Sequence, residues 1–259
     1  MRGVDGGVVT DTVANPRVRR VSAFFPCYND ALSIGKMVSD VTAALEPLVD
    51  EFEVIVVNDG SRDDSLAVLH RLQGHYPRLR IVNHERNRGY GGALISGFAN
   101  SSYEWVFYTD GDAQYDASEV GRLVAAVVDD TDVVQGFKIG RGDPWYRKVI
   151  GRTYHHLVRL LFRLPVRDTD CDFRLVNRRV LDQVSLRSAT GVICVEMMFE
   201  FKRVGARFVE VGVSHRNRPH GRSQFFRLPA VGRAAVQLVS LWWRLVVRGS
   251  RGDRPTIHS

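Results

Sequence analysis

The chain has 259 residues, 44% of them hydrophobic, which is enough for one domain with a proper core; 36 Lys and Arg against 29 Asp and Glu leave a net charge of +7. That charge is almost wholly arginine, which suits an anionic partner such as a nucleotide, a nucleic acid or an acidic membrane face. Cys27, Cys171 and Cys194 lack CxxC spacing and speak against a disulfide framework or zinc site and for a reducing compartment, and no apolar run reaches the about 18–20 residues that span a bilayer.

Residues 1–17 have no periodicity and no signal-peptide core, and are expected to be a flexible leader. VSAFFP (21–26) reads as a buried strand stopped by Pro26, followed by a helix from about Leu32 to Leu45. FEVIVVNDGS (52–61) is a β-branched strand breaking into a turn, and 63–73 a helix with acids in its first turn. Then come a strand at 79–84, a Gly-rich turn entering a helix at 87–101, a strand at 104–112, a helix at 118–128 and a strand at 132–138. Strand–helix alternation with continuous apolar strands predicts an α/β domain on a mostly parallel sheet with flanking helices.

In such a sheet ligands bind beyond the carboxyl ends of the strands. The polar stretches Tyr28–Asp30, Asn58–Ser61 and Asp110–Gln114 each follow a strand directly, so they are expected on one rim. Asp110, Asp112 and Gln114 supply oxygen ligands at a spacing that suits a hard divalent cation, Mg²⁺ or Mn²⁺, neutralising a diphosphate. Alone, D-x-D more often decorates a turn, and Asp59–Gly60–Ser61 alone more often caps a helix.

The motifs do not stand alone. In order along the chain come Pro26, Tyr28, Asn29 and Asp30; Asp59, Gly60, Ser61 and Asp63; Asn87, Gly89, Gly91 and Ala93; and Asp110, Asp112 and Gln114. The series resembles the inverting family-two glycosyltransferases, with Asp30 where the family has Glu. The resemblance implies a GT-A fold over residues 18–224. It also implies a nucleotide-sugar donor held by Pro26, Tyr28, Asn29, Asp30, Asp59, Gly60, Ser61, Gly91, Asp110 and Gln114, with Asp30 and Asp59 contacting base and ribose. Asp110, Asp112 and Gln114 would be the metal ligands.

Three later segments resemble the polyprenyl-phosphate sugar synthases, the dolichol-phosphate mannose and glucose synthases among them. GRGDPWYRKVIGR (140–152) carries Arg141 and Arg147 at the positions that grip an acceptor phosphate, with Gly151 where a serine is common. VRDTDCDFRL (166–175) matches a D-x-x-x-G-F-R pattern at Asp168, Phe173 and Arg174, with Asp172 in place of glycine. Residues 195–226 match at Glu196, Met197, Gly205, Glu210, Val211, Arg218, Gly221 and Ser223. The implied acceptor is a polyprenyl phosphate held by Arg141, Arg147, Arg218, Ser223 and Glu196, with Asp112 and the same three arginines as the catalytic set. A lipid phosphate is largely dianionic at neutral pH, its second pKa being about 6, and attacks without a strong base. A hydroxyl acceptor, the alternative, needs one, for which Glu196, Asp168 and Asp170 are candidates.

At helical spacing, residues 145–163 and 225–249 set arginines opposite Val, Leu and Trp. This pattern suits either ordinary surface helices or interfacial ones, the second reading placing the protein peripherally on the cytoplasmic membrane face. Residues 250–259 are expected to be a disordered tail. Nucleic-acid binding fits the charge, but no motif for it accompanies the charge, and none is expected. The nucleotide, between GDP-mannose and UDP-glucose, and the oligomeric state stay open.

Overall fold

The computed structural model describes residues 14–139, 158–216 and 236–248. Seven strands form one sheet: β1 (Arg20–Cys27), β2 (Glu51–Asn58), β3 (Leu79–Asn83), β4 (Trp105–Thr109), β5 (Val133–Ile139), β6 (Phe173–Asn177) and β7 (Phe208–Ser214), in the order β3-β2-β1-β4-β6-β5-β7. β3, β2, β1 and β4 run parallel, as do β5 and β7, while β6 pairs antiparallel with both β4 and β5. Seven successive residues of β1 and of β2 are buried, as strands covered on both faces require.

One layer of core packs α1 (Ile34–Leu45), α2 (Ser65–Gln73) and α4 (Val120–Ala125) on one side of the sheet. The other packs α3 (Gly89–Asn100), α5 (Arg178–Leu181) and α6 (Ile193–Arg203), joined by a C-terminal helix over 236–248 whose second half, Trp243–Arg248, winds as a π-helix. Close packing is set by small residues: a Cβ on Gly97 of α3 would lie 2.3 Å from the Phe24 ring. That ring is itself held between Phe98, 5.0 Å away edge-on, and Tyr108, stacked at 5.4 Å.

The first nine predicted elements lie where their patterns put them, within a few residues. The leader ends sooner than expected: Asn15 Nδ2 donates to Val124 O and Val127 O at 3.0 and 2.8 Å, Trp105 Nε1 donates to Arg17 O, and Arg17 pairs with Asp129. Residues 15–17 therefore belong to the domain.

Because β6 runs opposite to β4 and β5, the residues before it arrive at the rim where β4 and β5 end. The loop Asp168–Asp172 thus joins Asp110 and Asp112 at the carboxyl edge, as do Lys138 from β5 and Arg216 just beyond β7.

Candidate active site

The first two predicted motifs are laced together backbone to side chain. Asn29, in left-handed conformation at φ 58°, donates its N–H to Ser61 Oγ (3.0 Å), and its Oδ1 accepts from Arg62 N–H (2.8 Å). Asp30 N–H reaches Ser65 Oγ at 3.1 Å, Ala31 N–H reaches Asp63, and Asp30 Oδ2 accepts from Tyr28 N–H. Burial raises the Asp63 carboxyl, but the bonds from Ser65 and Ala31 outweigh it and hold the group below the usual carboxylate range.

Asp59 is buried at the end of β2. Its Oδ1 accepts from His84 Nδ1 (2.7 Å) and Arg88 N–H (2.8 Å), and His84 Nε2 stands 2.9 Å from Ser96 Oγ. Gly60 turns the chain at φ 67°, where a Cβ would lie 2.7 Å from Asn87 N. Beside it opens a cleft of about 410 Å³ lined by Asn58, Gly60, Ser61, Arg62, Asn83 and His84 among others.

Asp110 and Asp112 follow β4. Tyr90 OH donates to Asp110 Oδ1 at 2.8 Å, and Asp112 Oδ1 accepts from Gln114 N–H at 3.0 Å. Burial, then the nearby charges of Asp172 and Asp112, push the Asp110 carboxyl well above the usual range. Gly111 lets this turn lie on β1, since a Cβ there would be 2.8 Å from Pro26 O. Gln114 closes the turn onto the end of β7: its Nε2 donates to Arg216 O, and its carbonyl accepts from Arg216 N–H at 2.8 Å.

Asp172 stands across from Asp110 and is fixed from below. Its Oδ1 accepts from Arg174 Nη1 (2.9 Å) and Cys194 Sγ (3.0 Å). Arg174 is wholly buried, and Tyr108 OH, Gln135 Oε1 and Thr169 O (2.6 Å) accept three more of its protons. Lys138 Nζ donates to Asp170 O at 2.6 Å and stands 4.0 Å from Asp168. Burial, against the pull of Lys138, pushes the Asp170 carboxyl up to about 6.

Two expected site residues sit deeper than a ligand would. Gly91 donates its N–H to Ala189 O at 3.0 Å, and a Cβ there would lie 1.9 Å from Ser188 O. Glu196 is 1% exposed and its carboxylate is taken by Arg187 N–H, Ser188 N–H and Arg244 Nη2. The expected acceptor residues Arg141, Arg147, Arg218 and Ser223 lie outside the described residues. Tyr90, Lys138 and His84 escaped the sequence reading. Tyr90 carried one local signal, a place inside the Gly-rich turn beside Gly91, whereas Lys138 and His84 matched no motif.

Residues 22–185 match the family described as Glycosyl transferase family 2. The chain belongs to that family. This glycosyltransferase is 30% identical over 234 residues to an undecaprenyl-phosphate 4-deoxy-4-formamido-L-arabinose transferase of Aeromonas hydrophila subsp. hydrophila, covering 90% of this chain and 68% of the relative. It is 29% identical over 232 residues to the protein of the same description in Sodalis glossinidius, covering 89% and 68%. Both are polyprenyl-phosphate sugar transferases by name, the class the later segments resemble. Glucosyl-3-phosphoglycerate synthase of Mycobacterium tuberculosis, solved with Mn²⁺, UDP and glucosyl-3-phosphoglycerate, superposes with a TM-score of 0.70 at 21% identity, over 94% of this chain and 86% of that one. The glycosyltransferase therefore has the expected GT-A fold, with its predicted motifs on the rim where β1, β2 and β4 end.

Among the described residues, no three His, Cys, Asp or Glu side chains gather into a metal cage. A hard cation that takes most of its shell from phosphate and water needs only one or two carboxylates. Asp110 is buried beside the charges of Asp172 and Asp112, which Lys138 offsets only in part, and such a cation would neutralise this acid surplus.

Proposed function

We propose that this family-two enzyme transfers a hexose from a nucleotide sugar to the phosphate of a polyprenyl phosphate, with inversion at the anomeric carbon and with Mg²⁺ or Mn²⁺. The observation that carries the reading is the acid surplus at the end of β4, where Asp110 is pushed up by burial, Asp172 and Asp112. The two undecaprenyl-phosphate sugar transferases support the acceptor class, and the Mn²⁺–UDP complex of the structural neighbour supports the cation and donor class.

Each residue has a part. Asp110 and Asp112 hold the cation, which when bound offsets the charge of the departing diphosphate. Gln114 fixes the turn that carries Asp112. Asp59, aimed by His84 and Arg88, and Asp30, closed over by Tyr28 and Asn29, meet the base and ribose at the cleft beside Gly60 and Ser61, with Pro26 supporting the floor. Arg141, Arg147 and Arg218, with Ser223, grip the acceptor phosphate and turn one of its oxygens on the anomeric carbon. That oxygen forms the new bond as the bond to the diphosphate breaks. The products are a polyprenyl phosphosugar and a nucleoside diphosphate, and no proton need be removed.

Membrane contact belongs to the same proposal. Leu160, Val236, Val239 and Trp243 are exposed apolar side chains, with Arg159 and Arg163 exposed near Leu160. Such a surface suits a peripheral place on the cytoplasmic face, where a lipid acceptor is met. Among the described residues, no helix is long and apolar enough to cross a membrane.

A second reading, transfer to a hydroxyl, draws support from Asp170, whose pKa of about 6 suits a general base near neutral pH. Labelled GDP-mannose and UDP-glucose, each offered with polyprenyl phosphate and Mg²⁺ or Mn²⁺, decide between them. Label passing into the organic phase supports the lipid acceptor. Label on a water-soluble saccharide favours the hydroxyl, and no transfer under any condition sinks both.

A further inference from the structure

The loop 187–190 lies between the C-terminal helix and the mouth of the donor site, and is bonded to both. On the helix side, Arg244 Nη2 donates to Glu196 Oε1 (2.6 Å) and to Ser188 Oγ (3.3 Å), and Thr190 Oγ1 donates to Gln237 Oε1 (3.0 Å). Beneath the loop, Glu196 Oε2 accepts from Ser188 N–H (2.8 Å) and Arg187 N–H (3.2 Å). On the donor side there is no slack. Gly91 N–H is bonded to Ala189 O, and absent Cβ atoms on Gly91 and Gly89 would fall 1.9 and 2.4 Å from Ser188 O and Ala189 O. Between those two glycines stands Tyr90, whose hydroxyl is bonded to Asp110.

We propose that Glu196 and Arg244 are positioning residues for the donor site: through the loop 187–190 they fix the start of α3, and with it the Tyr90 bond that aims Asp110. A carboxylate 1% exposed, with all its partners supplied by the chain, has one geometry available to it. Moving Arg244 therefore moves the loop, and the close contact at Gly91 passes the displacement to Tyr90. The helix that carries Arg244 also presents Val236, Val239 and Trp243 outward. Whatever seats that helix thus tightens the grip on the donor, and not only on the acceptor. The inference rests on the reading of Asp110 as a carboxylate that holds the donor's cation.

The test uses the full chain and calorimetric titration with Mn²⁺ together with UDP or GDP. Glu196→Gln keeps an acceptor for the two loop amides and removes the charge that Arg244 meets. Arg244→Met leaves the loop bonds of Glu196 in place, so it keeps the test open if the first variant does not fold. Both are expected to weaken Mn²⁺–nucleotide binding about tenfold, with Arg244→Lys recovering part of the loss. Tyr90→Phe should absorb the effect, so that Tyr90→Phe with Arg244→Met binds no worse than Tyr90→Phe alone. Wild-type affinity in a folded Arg244→Met variant overturns the inference, and fully additive losses in the double variant overturn the route through Tyr90. Failure of the wild type to bind either nucleotide with Mn²⁺ is a different result: it removes the reading of Asp110 and this inference with it.

Discussion

Asp110 and Asp112 are two residues apart but differently held: a phenol donates to the first, a main-chain amide to the second. Asp112→Ala, in protein that folds as the wild type does, should lower turnover roughly 100- to 1000-fold, as for lost stabilisation of developing charge. Steady-state rates beside a circular dichroism spectrum check this, and full activity in chelator would contradict the proposed role. Asp170 makes a pH prediction. Its folded pKa of about 6 is above the ordinary aspartate value, so the folded state holds the proton more tightly than the unfolded chain. That contribution is fully present below the unfolded pKa and is lost as pH rises through about 6. Asp170→Asn cannot lose the proton. It should therefore raise stability at pH 7.5 by on the order of 2 kcal/mol relative to wild type, with the gain shrinking toward pH 4. Thermal unfolding at the two pH values reads it, and an equal shift at both would refute the assignment.

β1, β2 and β4 were legible because strands buried on both faces must be runs of apolar residues, and those runs are local. β6 was not. Its segment FRLVN carries Arg174 at a wholly buried position, which breaks the apolar pattern. The guanidinium is acceptable there only because Tyr108, Gln135, Thr169 and Asp172 converge on it, and Tyr108 is 66 residues away. The antiparallel insertion of this strand is what delivers the loop Asp168–Asp172 to the rim. At α3 the packing is testable. Gly97→Ala would press a methyl group into the Phe24 ring, which the Phe98 and Tyr108 rings hold in place. The expected cost is about 1–3 kcal/mol, measured by denaturant unfolding, with an unchanged denaturant dependence.

For the molecule as a whole, the C-terminal helix faces two ways. Its pattern suggested a basic face turned away from Val, Leu and Trp, but Arg244 turns inward to Glu196, Leu238 and Leu241 are buried, and Val236 (71%) and Val239 (63%) are exposed. If that face meets a bilayer, Val239→Ser with Trp243→Ser should lower partition onto anionic vesicles at least about tenfold, read by sedimentation, while leaving the unfolding temperature nearly unchanged. Equal partition of variant and wild type would remove the membrane contact from the proposal. The sequence by itself determined the alternating fold, the order of its first nine elements and the gathering of Asp30, Asp59, Asp110 and Asp112 on one rim. Strand patterns and the turns that end them are local, and parallel pairing sets their ends side by side. Only the tertiary structure decided what each acid faces: Tyr90 on Asp110, His84 on Asp59, and Arg244 on Glu196 across 48 residues. Those contacts join elements distant in the chain, and no periodicity within either partner encodes the other.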